Sequence, residues 1–268
     1  ALDAATGREA WRVELVDGST RAAAEPGEHV NADSGSCTAH GTQAHLAVCL
    51  AHDGGYAIGE RSVRYLAPST SRVVVLDTRD GSVVEDLSEA LAPDGTATSV
   101  AVVDDLVVAV VTSPDGVAVR AATVDGTVRW STATTQEQAP GSTHVARVGD
   151  LVAVLGGTDV TLLDHDGRTV RTHPLAGGYA YATQDTVFVM PDGDADAPTT
   201  LVRADGVVEV RGDVLLTSFD DGSAPGVVLT TDGEHVTGWV GGERRWTAER
   251  GGSGHALVLD GRIVLDEG

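Results

Sequence analysis

The chain has 268 residues, of which 41% are hydrophobic but only 4% aromatic, so Val, Ala and Leu must build its core. Eighteen basic residues, all of them Arg, stand against 40 acidic ones and give a formal net charge of −22 at pH 7. This charge argues against electrostatic binding to nucleic acid or an anionic membrane, and no stretch approaches the ~20 apolar residues of a membrane span. The composition is typical of a high-GC genome; a salt-adapted surface and an acidic face for cations or a basic partner are the alternatives.

Short apolar runs follow one another along the chain. Each is too short for a buried helix and is rich in β-branched Val, and clusters of Asp and Gly separate the runs. The runs lie at 73–76, 106–111, 151–155, 187–190, 227–229 and 256–259. Only segment 86–92 predicts a helical turn. The sequence therefore predicts an all-β chain.

Six turns share one register, which is marked by a glycine and by the residue four positions after it. The glycines are Gly7, Gly81, Gly126, Gly167, Gly206 and Gly242, and the residues that follow are Trp11, Glu85, Trp130, Arg171, Val210 and Trp246. Except for the first step of 74 residues, the spacing is about 40 residues, which is the period of a β-propeller blade. Tight hairpins explain the glycines, because such turns demand a positive φ.

Within one period the pattern predicts four antiparallel strands, as in residues 144–175. The chain ends supply partial units: residues 1–15 give a third and fourth strand, and residues 255–267 a first and second. Joining them into one blade removes free sheet edges. We therefore predict a β-propeller of about six four-stranded blades, one closed by N- and C-terminal strands; seven or eight blades are the alternative. Residues 16–35 show almost no strand pattern, which argues against a hidden unit in the long first step.

The segment 1–11, Ala-Leu-Asp-Ala-Ala-Thr-Gly-Arg-Glu-Ala-Trp, resembles the repeat A-x-D-x-x-T-G-x-x-x-W of the PQQ-like β-propeller superfamily. The copy at 75–85 keeps Asp77 and Gly81 but lacks the Trp. The copies at 121–130 and 238–246 keep Gly and Trp on a shortened turn. In that superfamily the Trp packs between blades, so the resemblance implies structural roles for Trp11, Trp130 and Trp246; a sugar-stacking platform is the rival interpretation.

The superfamily contains enzymes and non-enzymes, so membership does not assign an activity. Its quinone-carrying enzymes have eight blades, a disulfide between adjacent cysteines and a Ca²⁺ held by acidic and amide side chains. This chain has about six units, cysteines twelve positions apart and a single Asn, Asn31, in a loop-like stretch. PQQ is therefore not expected, and no cofactor is predicted. The chain looks nearer to the non-catalytic, extracytoplasmic bacterial members, which include the outer-membrane assembly lipoprotein and sensor ectodomains of kinases.

Cys37 and Cys49 flank a plausible hairpin with its turn near 41–44. Facing positions across that turn have residue numbers that sum to about 86, as 37 and 49 do, and facing positions lie within disulfide reach. We predict a disulfide that stabilises the fold by about 3 kcal/mol and implies an oxidising compartment. Two buried free thiols are one alternative; a metal or redox pair is another, although the chain has no C-x-x-C motif.

Two sets of residues could in principle bind metal. Four histidines, His29, His40, His45 and His52, lie close in sequence, but zinc needs three or four convergent ligands, and solvated or hydrogen-bonded histidines are the preferred interpretation.

The alternate aspartates Asp192, Asp194 and Asp196 resemble the first ligand positions of a calcium-binding loop. Ala197 and Arg203 stand where such a loop needs Gly and a bidentate Glu. A hydrated acidic loop is therefore favoured, with weak Ca²⁺ binding as the alternative.

Signatures of catalysis are absent: there is no G-x-S-x-G, P-loop, dinucleotide fingerprint or H-E-x-x-H. We predict a single propeller domain over 1–268, trimmed from a longer secreted or membrane-anchored protein, that binds an unknown protein or small ligand on one face. The loops at 16–35 and 52–71 are the expected location, with Tyr56 as an exposed aromatic; a loop residue capping the blade edge is its alternative role. The rival functions are a quinone-dependent oxidoreductase, a glycan-processing enzyme and the sensor ectodomain of a membrane receptor kinase.

Overall fold

Almost every described residue lies in or between β-strands. The computed structural model describes residues 6–16, 25–32, 35–39, 45–59, 62–66, 68–134, 143–183, 185–192, 198–215, 217–220, 223–224, 226–250 and 256–265. The chain divides into two units, residues 1–157 with 161–170 and residues 158–160 with 171–268, which are described separately. The one-turn helix within 86–92 is present, as α1. Among the described helical residues none forms a helix long and apolar enough to cross a membrane.

The first elements run from the N-terminus to the end of the helix-containing region. They are β1 (His29–Ala32), β2 (Ser36–Ala39), β3 (Leu46–His52), β4 (Gly55–Ile58), β5 (Val63–Leu66), β6 (Ser71–Asp77), β7 (Val83–Asp86) and α1 (Ser88–Leu91). The middle of the chain follows with β8 (Thr96–Val103), β9 (Leu106–Ser113), β10 (Gly116–Thr123), β11 (Val128–Ala133), β12 (His144–Val148), β13 (Leu151–Gly156), β14 (Asp159–Leu163) and β15 (Thr169–Pro174). The remaining strands are β16 (Tyr179–Ala182), β17 (Val187–Met190), β18 (Thr199–Val202), β19 (Val207–Val210), β20 (Asp213–Val214), β21 (Thr217–Asp220), β22 (Val227–Thr231), β23 (His235–Val240), β24 (Glu243–Glu249), β25 (Ala256–Leu259) and β26 (Arg262–Leu265).

Within the described residues these strands form seven sheets, and the predicted all-β fold with four-stranded antiparallel blades is confirmed. Five sheets have four strands, in the orders β2-β3-β6-β7, β8-β9-β10-β11, β12-β13-β14-β15, β16-β17-β18-β19 and β20-β22-β23-β24. Two sheets have three strands, in the orders β1-β4-β5 and β21-β25-β26. In most four-stranded sheets the strands follow each other in chain order, which is the meander of a propeller blade.

The second strand of a blade is buried on both faces. In β9, Val107, Ala109 and Val111 contribute to one apolar cluster with residues of β3, β6 and α1. The alternate residues Leu106, Val108 and Val110 contribute to a second cluster with β12 and β13. Because side chains alternate along a strand, a continuous Val-rich run supplies apolar residues to both neighbours at once. Outer strands differ: β11 is mostly exposed.

The sheet β1-β4-β5 corrects one expectation. Residues 16–35 were expected to lack strands, but β1 lies there and pairs antiparallel with β4. Its four residues, His-Val-Asn-Ala, contain no apolar run, so the pattern did not reveal it. The blade closed by both chain ends stays a prediction: residues 1–5 and 266–268 lie outside the described residues, and β25 and β26 share a sheet with β21.

Candidate functional site

The predicted repeat residues make packing contacts between consecutive structural units. The indole Nε1 of Trp11 donates to the Thr78 carbonyl at 3.0 Å, and its ring covers Gly81, where an added Cβ would lie 2.4 Å from the ring. Trp130, two repeats further along the chain, makes the same arrangement with the next turn. It donates to the His165 carbonyl at 2.9 Å and covers Gly167 at 2.6 Å.

Other residues in the same register make related contacts with different chemistry. The Arg171 guanidinium donates to the Arg203 carbonyl at 3.1 Å, in the turn that leads to Gly206. Trp246 packs over Gly238 of its own sheet, 2.3 Å from the position of an added Cβ, and joins an apolar cluster with residues of β25 and β26. These residues therefore belong to the packing and leave the site to be sought elsewhere.

The metal candidates do not converge where the structure describes them. Within the described ranges no group of three or more His, Cys, Asp or Glu side chains is arranged to hold a metal ion. Asp192 is exposed, while Asp194 and Asp196 lie outside the described residues. His40 also lies outside them, and His52 is buried with its Nδ1 accepting from the Gly54 backbone at 3.2 Å.

The exposed aromatic side chains of the predicted binding region lie on the sheet β1-β4-β5, which we call the accessory sheet. Tyr56 on β4 faces Tyr65 on β5, and their ring centroids are 5.4 Å apart. At the hairpin end the Gly59 amide donates to the Ser62 carbonyl, so these two residues form a hydrogen-bonded pair. Hydrogen-bonded and non-hydrogen-bonded pairs alternate along antiparallel strands, which makes Tyr56 and Tyr65 a non-hydrogen-bonded pair. Side chains lie closest in pairs of this kind. This geometry places the two tyrosines side by side on one face, with their ring planes tilted by 56°.

The same face carries further apolar area. Ile58 and Val63 are also facing partners, and they are 39% and 68% exposed, while Tyr56 and Tyr65 are 41% and 36% exposed. On β1, His29 and Asn31 are the register partners of Ile58 and Tyr56 and extend this face. We call these six residues the tyrosine face. An exposed group of aromatic and β-branched side chains with a polar rim is typical of an interaction surface.

The opposite side of the accessory sheet carries buried apolar side chains beside the exposed Arg64. Ala57 is fully buried and Leu66 is 8% exposed. Asp53, just before β4, accepts hydrogen bonds from the backbone amides of Ser69 at 2.7 Å and Thr70 at 2.9 Å, and from the Ser69 hydroxyl. Burial opposes ionisation of this carboxyl, but these hydrogen bonds outweigh it and lower the pKa of Asp53. A rigid base therefore presents the tyrosine face.

The disulfide braces the strands that lead into this sheet. Cys37 and Cys49 face each other in β2 and β3, with their Cα atoms 4.0 Å apart, and their sulfurs are bonded. The chain leaves β1 and enters β2 through Gly35, whose φ is +91° and where an added Cβ would lie 1.9 Å from the Leu50 carbonyl oxygen. Only glycine allows this close approach of two backbones.

A polar depression adjoins the accessory sheet along the chain. Its volume is about 420 Å³, and its described lining includes Pro68 and Ser69 after β5, the Asp94–Gly95 loop, and hydroxyl groups of β8 and β9. We call it the hydroxyl trench; its hydroxyl residues are Ser69, Thr96, Thr98, Thr112 and Ser113. A second depression of about 220 Å³ shares Asp94, Gly95 and Ser113 with it and adds Asp115 and Arg120.

The sequence pattern singled out Tyr56 and did not single out Tyr65, Val63 or Asp94. The hairpin signal was present, because Tyr-x-Ile at 56–58 and Val-x-Tyr at 63–65 mirror each other around residues 59–62. Mirrored alternation of this kind predicts facing pairs on one face. Asp94 had no such signal, since a surface aspartate beside a proline and a glycine is ordinary turn chemistry.

The chain is similar to known proteins over most of its length. A family model described as "Outer membrane protein assembly factor BamB" matches residues 1–267, and no curated protein matches the sequence. Among solved structures, the chain is similar to Hsv2 of Kluyvelomyces marxianus with 9% identity and a TM-score of 0.45, covering 83% of this chain and 66%, just under two thirds, of Hsv2. It is also similar to the Pan2 WD40 domain of Neurospora crassa, with 8% identity, a TM-score of 0.45, and coverage of 86% of this chain and 84% of that domain.

Proposed function

Since the chain belongs to the PQQ-repeat family of the outer membrane protein assembly factor BamB, we propose that it is a non-enzymatic extracytoplasmic scaffold that binds a protein partner. The binding surface in this proposal is the tyrosine face of the accessory sheet. The observation that carries it is the exposed Tyr56–Tyr65 pair on a sheet whose other face buries Ala57 and Leu66.

Physical reasons support this surface. Tyrosine supplies a large contact area at low cost in side-chain entropy and is enriched among residues that dominate binding energy. The buried Ala57 anchors the sheet, and the Asp53 hydrogen bonds tie its start to Ser69 and Thr70. Such preorganisation favours affinity, because less conformational freedom is lost on binding.

Two observations support an extracytoplasmic location. Disulfides persist in oxidising compartments, and the Cys37–Cys49 bond is one. The family description names an outer-membrane assembly factor. Ectodomains of membrane receptors share this environment, so the sensor alternative uses the same surface and the same test.

A peptide-display experiment tests the binding surface. Random-sequence peptides selected on the wild-type protein are measured against the double variant Tyr56→Ser/Tyr65→Ser. The matched control is Tyr179→Ser, which removes a more exposed tyrosine, 57% accessible, from the outer strand β16. We expect the double variant to weaken the selected peptides by about tenfold or more, as for loss of an aromatic anchor, and the control to leave them unchanged. Equal binding by all three proteins, or failure to select any peptide, contradicts the proposal.

A further inference from the structure

Building on the proposed function, we propose that the partner is a basic protein segment. In this arrangement its apolar side chains pack on the tyrosine face, and an Arg or Lys next to them enters the hydroxyl trench and pairs with Asp94. The inference rests on the continuity of the two surfaces, on the charge of the trench and on the charge of the whole protein.

The tyrosine face and the hydroxyl trench are joined by a short piece of chain. Ser69 lines the trench and lies four residues after Tyr65. Four residues span at most about 14 Å, so the two surfaces are within reach of one extended peptide of similar length. Asp53 fixes this connection by accepting hydrogen bonds from Ser69 and Thr70. One ligand segment can therefore contact both surfaces.

The trench has the chemistry of a cation site. Among its described lining residues Asp94 is the one charged group, and the described residues offer Asp94 no ion-pair partner. The second depression, which Asp94 also lines, adds Asp115 and Arg120, so its described lining holds two carboxylates and one guanidinium.

Five hydroxyl residues line the trench together with Asp94. Thr98 lies at an irregularity in the β8–β9 pairing, and its hydroxyl is buried with no hydrogen-bond partner in the described structure. The ammonium or guanidinium group of a ligand donates several hydrogen bonds, and hydroxyl oxygens accept them. The trench therefore matches a cationic side chain better than an anionic or purely apolar one.

The charge near the tyrosine face favours the same partner. Arg64, on the opposite face of β5, is bound to Glu28 at 2.8 Å and lies 3.9 Å from Glu25, so its positive charge is already balanced. The whole chain carries −22, which repels a second copy of itself or another acidic protein and attracts a basic one. This selects a heterologous basic partner over self-association.

Fluorescence anisotropy with two short labelled peptides tests the inference. One peptide alternates leucine and arginine, and its twin carries glutamate in place of arginine. Titrations run at about 0.15 M salt, where charges beyond about 8 Å are largely screened, so that the general acidity of the protein contributes little. The variants are Asp94→Asn, Tyr56→Ser/Tyr65→Ser, and the matched control Asp150→Asn, which removes an exposed carboxylate from the turn between β12 and β13.

We expect the arginine peptide to bind wild type more tightly than the glutamate twin. Asp94→Asn should raise its Kd about threefold to fivefold, the scale of one exposed charge pair, while Asp150→Asn leaves the Kd unchanged. Equal effects of Asp94→Asn and Asp150→Asn overturn the inference, because non-specific attraction would then explain binding. If the double tyrosine variant weakens both peptides equally and Asp94→Asn has no effect, the basic-partner inference is wrong and the proposed surface stands. If neither variant has an effect, both are wrong.

Discussion

Trp11 and Trp130 make the same two contacts with a turn of the following repeat. Each ring lies on a turn glycine of the following repeat, and each indole N–H donates to a carbonyl of that turn. The glycine is needed twice over, for its positive φ and for the absence of a side chain under the ring. The register of these residues could be read from the sequence. The contact of Arg171 with the Arg203 carbonyl could not be predicted from the sequence. Arg171 stands where other repeats have Trp, and a guanidinium resembles an indole only in being flat and in carrying an N–H donor.

Replacing Gly81 by Ala should test this double requirement. Its φ of +76° costs a non-glycine residue about 1 kcal/mol or more, and the new Cβ would lie 2.4 Å from the Trp11 ring. Overpacking of this kind costs about 1–3 kcal/mol. We expect Gly81→Ala to lower the free energy of unfolding by about 3 kcal/mol in urea denaturation.

Gly149→Ala is the matched control, because Gly149 has a φ of +63° with no atom within 4 Å of an added Cβ. It should lose only the backbone contribution of about 1 kcal/mol. If the two variants lose equal stability, the ring contact contributes nothing beyond the φ requirement.

Asp77 in the same turn should make stability depend on pH. Hydrogen bonds from the Arg79 guanidinium and backbone amide hold the pKa of this carboxyl well below its ordinary value of 3.8, with His45 and Asp80 as the other nearby charges. A depressed folded-state pKa adds stability above about pH 4 that is lost as the pH falls. Asp77→Asn should therefore be less stable than wild type at pH 7, and this difference should shrink below pH 4.

Denaturation curves at several pH values measure the effect, with Asp150→Asn as the control for a carboxylate in a different turn. A stability difference between Asp77→Asn and wild type that stays constant from pH 7 to pH 3 would show that the Asp77 ion pair does not contribute in the folded state.

The accessory sheet shows which elements the sequence reveals. Blade strands such as β9 supply both neighbours with apolar residues, so an unbroken Val-rich run marks them. A small sheet with one exposed face has only a short alternation, and the mixed polar composition of β1 hid it completely. The sequence predicted binding in the loops of the long first interval, where the accessory sheet lies, but the tyrosine face and the trench depend on register and on neighbouring loops.

Removing the disulfide should test the brace beneath this sheet. The variant Cys37→Ala/Cys49→Ala loses the cross-link between β2 and β3, and the chain-entropy model gives a loss of about 3 kcal/mol in unfolding free energy. Thermal and urea unfolding measure this loss, and thiol titration should find no reactive thiol in the native, unreduced wild type.

A reducing agent provides the control for that experiment. It should destabilise the wild type toward the value of the variant and leave the variant unchanged. Equal stability of oxidised wild type and variant would mean that the bond does not support the fold.

At the scale of the whole molecule, the acidity follows in part from the number of hairpins. Asp80, Asp125 and Asp232 each accept a backbone hydrogen bond from a residue two positions on in a turn. These bonds contribute to lowering the pKa of each carboxyl, so the turns stay charged in mild acid. A protein built from many hairpins with aspartate in the turns accumulates negative charge without any ligand requiring it. The charge sign was readable from composition, whereas the position of Asp94 in the hydroxyl trench needed the structure.

The two ends of the disulfide differ in accessibility, since Cys37 is exposed while Cys49 is buried against the Trp11 segment. When an incoming thiolate attacks the sulfur of the exposed residue Cys37, Cys49 is the leaving group. The mixed disulfide formed in this way keeps Cys49 sheltered from oxidants and next to the bond that it must attack to close the ring again. Exposure to external thiols would thus be reversed from inside the protein, without loss of the second sulfur to overoxidation.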